Sequence, residues 1–103
     1  MTAPVLLTER LLLRPLGPED AEAWYAFHAD PVTMRHLGGV QSRSVAWRGL
    51  CAMAGAWSIR GFSMFAVTLR DTGEWIGRLG PWQPEDWPGT EIGWGLAGAE
   101  SKP

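Results

Sequence analysis

The sequence of 103 residues predicts an α+β fold in a single domain. Two segments, residues 18–29 and 42–60, carry apolar residues at spacings of three and four, which is typical of a helix with one buried face. Four other segments show the alternating or continuous apolar pattern of strands. The order is strand, helix, helix, strand, strand, strand. We therefore expect the last three strands to form an antiparallel meander.

The first strand is predicted over residues 11–14. It ends at Pro15, because proline has no N–H to donate to a neighbouring strand. The first helix is predicted to begin at Pro18, which suits the first helical position. It should stop before Pro31, since the residue ahead of a proline is driven out of the helical region. Residues 34–41 contain paired glycines and are expected to form a loop.

The second helix is predicted to start at Ser42 or Ser44, either of which can cap it, and to end near Gly61. Its apolar residues recur at helical spacing and are expected to face the core, with the single cysteine an inert buried thiol. These residues are Trp47, Leu50, Cys51, Ala54 and Trp57.

The second half of the chain has the pattern of a meander. Residues 62–70 are apolar on both faces, which predicts a central strand covered on two sides. Residues 71–74 form a glycine-containing turn, and residues 75–80 return as the antiparallel partner. Residues 81–89 contain three prolines and are predicted to be a loop. A last strand is predicted over residues 90–96.

The tryptophans are numerous, seven in all, and most are expected to be structural. Trp24 lies on a helical apolar stripe and should be core. Trp75 and Trp94 should pack on each other or on neighbours across the sheet. Trp82 and Trp87 lie in the proline-rich loop, where ligand stacking, cover for an open edge, a partner contact and core packing are all open interpretations.

Composition excludes several classes of function. The net charge is −2 and the basic residues are scattered, so no basic face for nucleic acid is expected. One cysteine and two histidines can form neither an intrachain disulfide nor a zinc-finger ligand set, and no metal site is predicted. A cytoplasmic location fits this cysteine usage. No apolar run approaches the roughly 18 residues that a membrane span needs.

Four segments, in the same order, resemble the GNAT family of N-acetyltransferases. They are TERLLLRPL with EDA (residues 8–16 and 19–21), DPVTMRHLG (30–38), DTGEWIG (71–77) and EIGW (91–94). The resemblance is to the branch that acetylates ribosomal-protein N-termini and related amines. It implies the N-terminal portion of the acyl-CoA N-acyltransferase fold, and transfer of an acetyl group from acetyl-CoA to a protein N-terminus or a small-molecule amine.

The resemblance also implies a cofactor site on the last strand. In the family, backbone groups of the fourth strand pair with the pantetheine arm, which would assign Gly95, Leu96 and Ala97 to acetyl-CoA. The pyrophosphate lies on backbone amides of a glycine-rich loop at the next helix N-terminus. Residues 97–103, AGAESKP, do not carry that pattern. We therefore expect residues 1–103 to form an incomplete domain in which binding of acetyl-CoA is impaired.

Three further residues are candidates through the same resemblance. Glu91 corresponds to a position where some relatives carry the base that deprotonates the amine; the alternative is a solvated acid at a strand end. Arg35 and His36 lie in the loop that borders the acceptor site in the family. Their alternative roles are to cap the loop or to face water. His28 lies on the helical stripe and is expected to be packed and hydrogen-bonded.

Two main interpretations of function remain open from the sequence, beside a more remote third in which the tryptophan-rich hairpin binds a small ligand or a peptide. One is an N-acetyltransferase domain that acts on a primary amine and is weakened or inactive without the pyrophosphate loop. The other is a non-catalytic module that self-associates or binds a partner through its last strand, because an unpaired apolar strand edge favours pairing with another chain.

Overall fold

A computed structural model describes residues 5–82, 88–89 and 91–96 of the chain. Its strands form one antiparallel sheet in sequential order. They are β1 (Leu6–Leu7), β2 (Leu11–Pro15), β3 (Phe65–Leu69), β4 (Trp75–Trp82) and β5 (Glu91–Leu96). The predicted α+β class and antiparallel meander are confirmed, with β1 as an additional two-residue strand ahead of the predicted first one.

Helices connect β2 to β3. A short 3₁₀ helix, Pro18–Asp20, leads directly into α1 (Ala21–Ala29), and α2 (Pro31–Met34) follows after a single residue. The long helix α3 covers Arg43–Ile59. Among the described residues no helix has the length and apolarity required to cross a lipid bilayer.

The short helix α2 was not predicted. Pro31 does end α1, as expected, but it also begins α2, because proline fits the first turn of a helix. Asp30 makes this restart favourable, since its carboxylate accepts from the Val32 N–H at 3.1 Å and from the Thr33 hydroxyl at 2.6 Å. The two helices are thus separated by one capping residue, and the loop begins at Arg35.

Helices α1 and α3 cover one face of the sheet. Their shared core consists of Leu16, Trp24, Ala46, Leu50, Met64 and Ala66. The Trp24 indole N–H donates to the Ala46 carbonyl at 2.7 Å, which ties α1 to α3. The predicted N-cap is confirmed at Ser42, whose hydroxyl accepts from the Val45 N–H at 3.2 Å.

The predicted core face of α3 is partly wrong. Trp47 is 54% exposed, and Cys51 is also exposed. The residues that reach the core are Ala46 and Leu50, so the buried stripe begins one residue earlier than the sequence suggested. A helix that is apolar around much of its circumference does not reveal which stripe faces the sheet, and its packing against Trp24 decides this.

The central strand prediction is confirmed. β3 is shorter than the predicted segment, but its residues are buried on both faces, and it lies between β2 and β4. On the other face of β3 from Ala66, a second core contains Leu13, Phe65, Val67 and Ile76, and Trp57 of α3 packs against Phe65, with 5.0 Å between ring centroids. The proline-containing segment is not entirely a loop, since Pro81 and Trp82 belong to β4. Trp87 and Thr90 lie outside the described residues.

Gly80 is a position where we expect a side chain to be costly. Its φ is +156°, and a Cβ there would lie 2.7 Å from the Ser63 carbonyl oxygen and 2.9 Å from the Met64 Cα. Gly80→Ala should therefore destabilise the fold by roughly 1–3 kcal/mol, measured by urea denaturation.

Gly55 provides the matched control. It lies in α3, and a Cβ there would meet nothing within 4 Å. Gly55→Ala should stabilise the fold by about 0.5–1 kcal/mol, because alanine loses less backbone entropy in a helix. Equal effects of the two substitutions would contradict the close packing of β4 on residues 63–64.

Candidate active site

The last strand, β5, provides the geometric frame of the candidate site. It pairs with β4 from Glu91 opposite Trp82 to Leu96 opposite Gly77. Within the described residues β5 is an outer strand, so its second edge has no neighbouring strand. The N–H and C=O groups of such an edge can pair with an extended ligand or another chain.

A glycine allows β5 to approach β4 at the end that carries the predicted cofactor residues. A Cβ on Gly77 would clash with the Gly95 carbonyl oxygen and would lie 3.0 Å from the Leu96 Cα. Any larger residue at this position would have to push β5 outward. The position of the Gly95–Leu96 backbone thus depends on the absence of a side chain at position 77.

The loop after α2 lies over Gly95. A Cβ on Gly95 would come within 2.9 Å of Leu37 Cδ1 and within 3.3 Å of Phe27 Cζ. The loop is held by the Met34 carbonyl, which accepts from the Leu37 N–H at 3.0 Å and from the Gly39 N–H at 2.9 Å. The structure therefore brings the predicted acceptor loop against the predicted cofactor strand.

The individual residues predicted for the site are not all placed in contact. Arg35 and His36 precede Leu37 and are exposed. Glu91 begins β5, four residues before Gly95, which puts their Cα atoms about 13 Å apart along the strand. The third predicted cofactor residue, Ala97, lies outside the described residues.

Two residues of β4 also bear on the site: Arg78, which pairs with Gly95 and was not considered in the sequence analysis, and Trp75, which was expected only to pack across the sheet. Val67 of β3 pairs with Gly77, whereas Thr68 pairs with Trp75, so the register shifts by one residue between them. Without this irregularity, Trp75 and Arg78 would lie on opposite faces, because strand side chains alternate. Both instead contact α1: the Trp75 ring packs edge-on against Phe27, with 5.5 Å between ring centroids.

Arg78 is a charged side chain packed among apolar and aromatic groups beneath α1. Within the described part of the chain its Nε is buried without a hydrogen-bond partner, and its Nη1 contacts the Met64 sulfur at 3.7 Å. The guanidinium carbon lies 5.7 Å from the ring centroids of both Trp24 and Phe27. Burial lowers the pKa of Arg78 from its ordinary value.

The sequence held a signal for Arg78 that was not used. It is the one charged residue in β4, whose other residues are Trp75, Ile76, Gly77, Leu79, Gly80, Pro81 and Trp82. A charge inside an apolar strand indicates either a solvated position or a functional one. The pairing register was needed to show that it lies on the helix-covered face.

His28 is packed as predicted. It is 1% exposed, and its Nδ1 donates to the Trp24 carbonyl at 2.8 Å, since a carbonyl can only accept. Burial lowers the pKa of His28, and the nearby Arg78 charge lowers it further, while the hydrogen bond to Trp24 acts in the opposite direction. The imidazole is therefore neutral at pH 7, with the proton on Nδ1.

The comparisons with known proteins identify the family. The sequence model of the acetyltransferase (GNAT) domain matches residues 10–102. The chain belongs to the GNAT acetyltransferase family. None of the curated protein sequences compared matches it. The predicted family is confirmed, while its ribosomal-protein branch stays a prediction.

Solved GNAT structures resemble the whole described fold. An acetyltransferase from Agrobacterium tumefaciens str. C58 is 32% identical, with a TM-score of 0.86 over 99% of this chain. A putative GNAT-family acetyltransferase from Bordetella pertussis is 25% identical, with a TM-score of 0.79 over 96% of this chain. An acetyltransferase of the family from Bacillus anthracis, at 23% identity and a TM-score of 0.69 over 91% of this chain, shows the fold alone.

The chain is shorter than these relatives. It spans 59% of the Agrobacterium chain, 62% of the Bordetella chain and 54% of the Bacillus chain. The family relationship therefore establishes the fold around β5, and the activity of the longer proteins comes to this chain only as a proposal.

The lowered pKa of His28 predicts a pH-dependent stability. Because the folded state favours the neutral ring, the unfolded state binds more protons below about pH 6.5, the ordinary pKa of histidine. The contribution of His28 is fully present above that pH and is lost as the pH falls toward the lower folded pKa. Urea denaturation between pH 7.5 and 5.5 should show this loss.

His28→Gln is the control, because glutamine keeps a polar side chain but does not titrate. Its stability should change less than that of the wild type between the same two pH values. Asp30 also has a lowered pKa, caused first by the hydrogen bond from Thr33, but a carboxylate titrates below this window. An identical slope in the variant would contradict the assignment to His28.

Proposed function

We propose that this chain is an N-acetyltransferase domain that transfers an acetyl group from acetyl-CoA to a primary amine. The observation that carries the proposal is the outer edge of β5 at Gly95 and Leu96, beneath the Leu37 loop, in a chain of the GNAT family. Acceptors consistent with it are a protein N-terminus and a small-molecule amine.

The residues of β5 fit an extended acyl-pantetheine chain. The outer edge provides backbone donors and acceptors without a competing strand among the described residues. Gly95 has no side chain, which leaves room for Leu37 and Phe27, and its carbonyl oxygen is directed toward Gly77 of β4. We assign Gly95 and Leu96 to acetyl-CoA through their backbone groups, and Ala97 through the family resemblance alone, since it lies outside the described residues.

A cleft of about 340 Å³ opens next to Leu96, a size typical of small-molecule pockets. Its walls are Thr8, Glu9, Arg10, Leu11, Leu69, Ile76 and Leu96. Ile76 belongs to the second core, on the other face of the sheet from Ala66. The cleft therefore lies on the far side of the sheet from the Leu37 loop, and we assign the acceptor to the loop side.

The chemistry requires only proton transfer and stabilisation of one oxygen. Acetyl-CoA supplies the acetyl group as a thioester, and the acceptor nitrogen forms the new C–N bond as the C–S bond breaks and the thiolate leaves. Backbone N–H groups of β5 would stabilise the carbonyl oxygen as it gains charge. Glu91 would accept the amine proton through water, and Arg35 with His36 would border the acceptor.

A second candidate function has one observation in its favour. On β5, Ile92 is 68% exposed and Trp94 is 61% exposed. Exposed apolar residues on an outer strand favour pairing with another copy of the chain. A self-associating, non-catalytic module is therefore the alternative to the enzyme.

Calorimetric titration of acetyl-CoA into the purified chain, with the mass measured by light scattering, distinguishes the two functions. A dissociation constant on the order of micromolar, equivalent to about −8 kcal/mol, in a monomer would support the enzyme and would contradict the impaired binding expected from residues 97–103. A folded oligomer that binds no acetyl-CoA would support the self-associating module instead.

Gly77→Ala tests whether binding uses the end of β5. A methyl group at this position must displace the Gly95 backbone, so we expect at least about a tenfold loss of acetyl-CoA affinity, or about 1.4 kcal/mol. Gly55→Ala, in open space on α3, should leave the affinity unchanged. Equal affinities of the two variants would exclude β5 as the cofactor strand.

Glu91→Gln tests the proposed base. Removing a general base should lower kcat by about 10²–10⁴-fold with little change in acetyl-CoA affinity. The rate is followed by release of the free CoA thiol with a panel of primary amines, between pH 6 and 9. Unchanged kcat and an unchanged pH profile would assign Glu91 to the surface and leave the cofactor proposal intact.

A further inference from the structure

We propose that Arg78 and Trp75 form a subsite that binds a carboxylate group carried by the acceptor amine. The subsite lies on the helix-covered face of the sheet, next to Gly95. This inference deepens the proposed function and rests on it, since it names the chemical class of the acceptor.

Two side-chain N–H donors in the described residues are buried without a hydrogen-bond partner, Arg78 Nε and Trp75 Nε1. Most buried polar groups in proteins are paired, because an unpaired one loses its hydrogen bonds to water without replacement, and the cost is larger for a charged group. Both donors belong to the same strand, and both side chains pack against Phe27. Because both donors lie around the same ring, we infer that one anion accepts hydrogen bonds from both of them.

Arg14 is an arginine with a structural role in the same sheet, and its contacts provide a comparison for those of Arg78. Arg14 pairs with Ala66 across the sheet, and Ala66 pairs with Arg78, so the two arginines lie in the same row. Arg14 donates to both carboxylate oxygens of Asp20, at 2.9 and 2.7 Å, and Asp20 is 1% exposed. These hydrogen bonds raise the pKa of Arg14.

Arg78 has no equivalent partner among the described residues. Ion pairs there join Arg14 to Asp20 and Glu19, and Arg43 to Glu22. The remaining contacts of Arg78, with the Met64 sulfur and two aromatic rings, offset little of the cost of burying its charge. The ring distances of 5.7 Å approach the roughly 6 Å limit of a useful cation–π contact.

The location of Arg78 indicates that its anionic partner is part of the amine substrate and not of acetyl-CoA. Arg78 pairs with Gly95, and a Cβ on Gly95 would lie 3.8 Å from the guanidinium carbon. The proposed function places the uncharged thioester at Gly95 and Leu96. An anion at Arg78 must then come from the molecule whose amine meets that thioester, and a carboxylate matches the planar donors of a guanidinium.

The carboxylate has two possible sources, which share this chemistry. It can be the carboxylate of a free amino acid, or an acidic side chain next to the N-terminal amine of a peptide. In both, the same molecule carries the reacting amine and the anion.

The first test measures binding without acetyl-CoA. The side-chain N–H resonances of Arg78 and Trp75 are assigned by NMR with Arg78→Lys and Trp75→Phe. They are then followed during titration with ω-amino acids of two to five carbons and with the corresponding ω-amino amides. A peptide arm compares alanyl-aspartyl amide with alanyl-asparaginyl amide.

We expect at least one acid to shift both resonances and its matched amide to shift neither. A response to the ω-amino acids would identify a free amino acid as the source of the carboxylate, and a response to alanyl-aspartyl amide would identify an acidic side chain of a peptide. Equal shifts with acids and amides, or no shift in either arm, would overturn the inference. This titration contains no acetyl-CoA, whose binding is measured separately by calorimetry. A response to the carboxylate in a chain that does not bind acetyl-CoA would contradict only the proposed function. Binding of acetyl-CoA in a chain that does not respond to the carboxylate would contradict only the subsite.

A second test compares two matched substitutions by thermal unfolding. Arg14→Met leaves the buried Asp20 carboxylate without its partner and should lower Tm. Arg78→Met removes a buried charge that has no partner, so Tm should be unchanged or higher. A similar drop in Tm for both variants would show that Arg78 stabilises the fold and would overturn its assignment as a binding residue.

Where the chain turns over substrate, the preference for acid over amide gives a third readout. Arg78→Met should reduce the ratio of kcat/KM values between the matched acid and amide by at least about tenfold, or 1.4 kcal/mol. Turnover of the amide should change much less. A uniform loss with both acceptors would show that Arg78 does not recognise the carboxylate and would contradict the inference.

Discussion

The close pairing of β5 with β4 is the constraint on which the candidate site depends. Gly77 leaves room for the Gly95 carbonyl, and Gly95 in turn leaves room for Leu37 and Phe27. Side chains at either glycine would separate the strand from its neighbour or from the loop above it. The position of β5 is therefore set by close contacts at these two glycines.

The two arginines on the helix-covered face, Arg14 and Arg78, have different electrostatic surroundings. Arg14 is neutralised by a carboxylate from the turn that precedes α1, whereas Arg78 meets sulfur and aromatic rings. Burial lowers the pKa of His28, and the cation at position 78 acts in the same direction. Within this face, β2 thus carries a satisfied structural ion pair, whereas β4 carries an electropositive position next to Gly95.

The sequence was informative wherever a local rule decides the structure. Pro31 ended the first helix, Ser42 capped the long one, and the two-faced apolar pattern of residues 62–70 identified the central strand. It failed for Trp47 and Cys51, because both lie on a helix whose apolar residues surround much of its circumference. Only packing against a neighbouring element can select one face of such a helix.

The sequence by itself determined the α+β class, the meander and the family, because hydrophobic periodicity, turn residues and four ordered motifs are local properties. It also named the strand and the loop that form the two sides of the candidate site. Only the tertiary structure brought Leu37 over Gly95 and placed Trp75 and Arg78 on the same face. The register shift opposite residues 67–68 decides that placement, and it arises from pairing between strands, which no residue specifies alone.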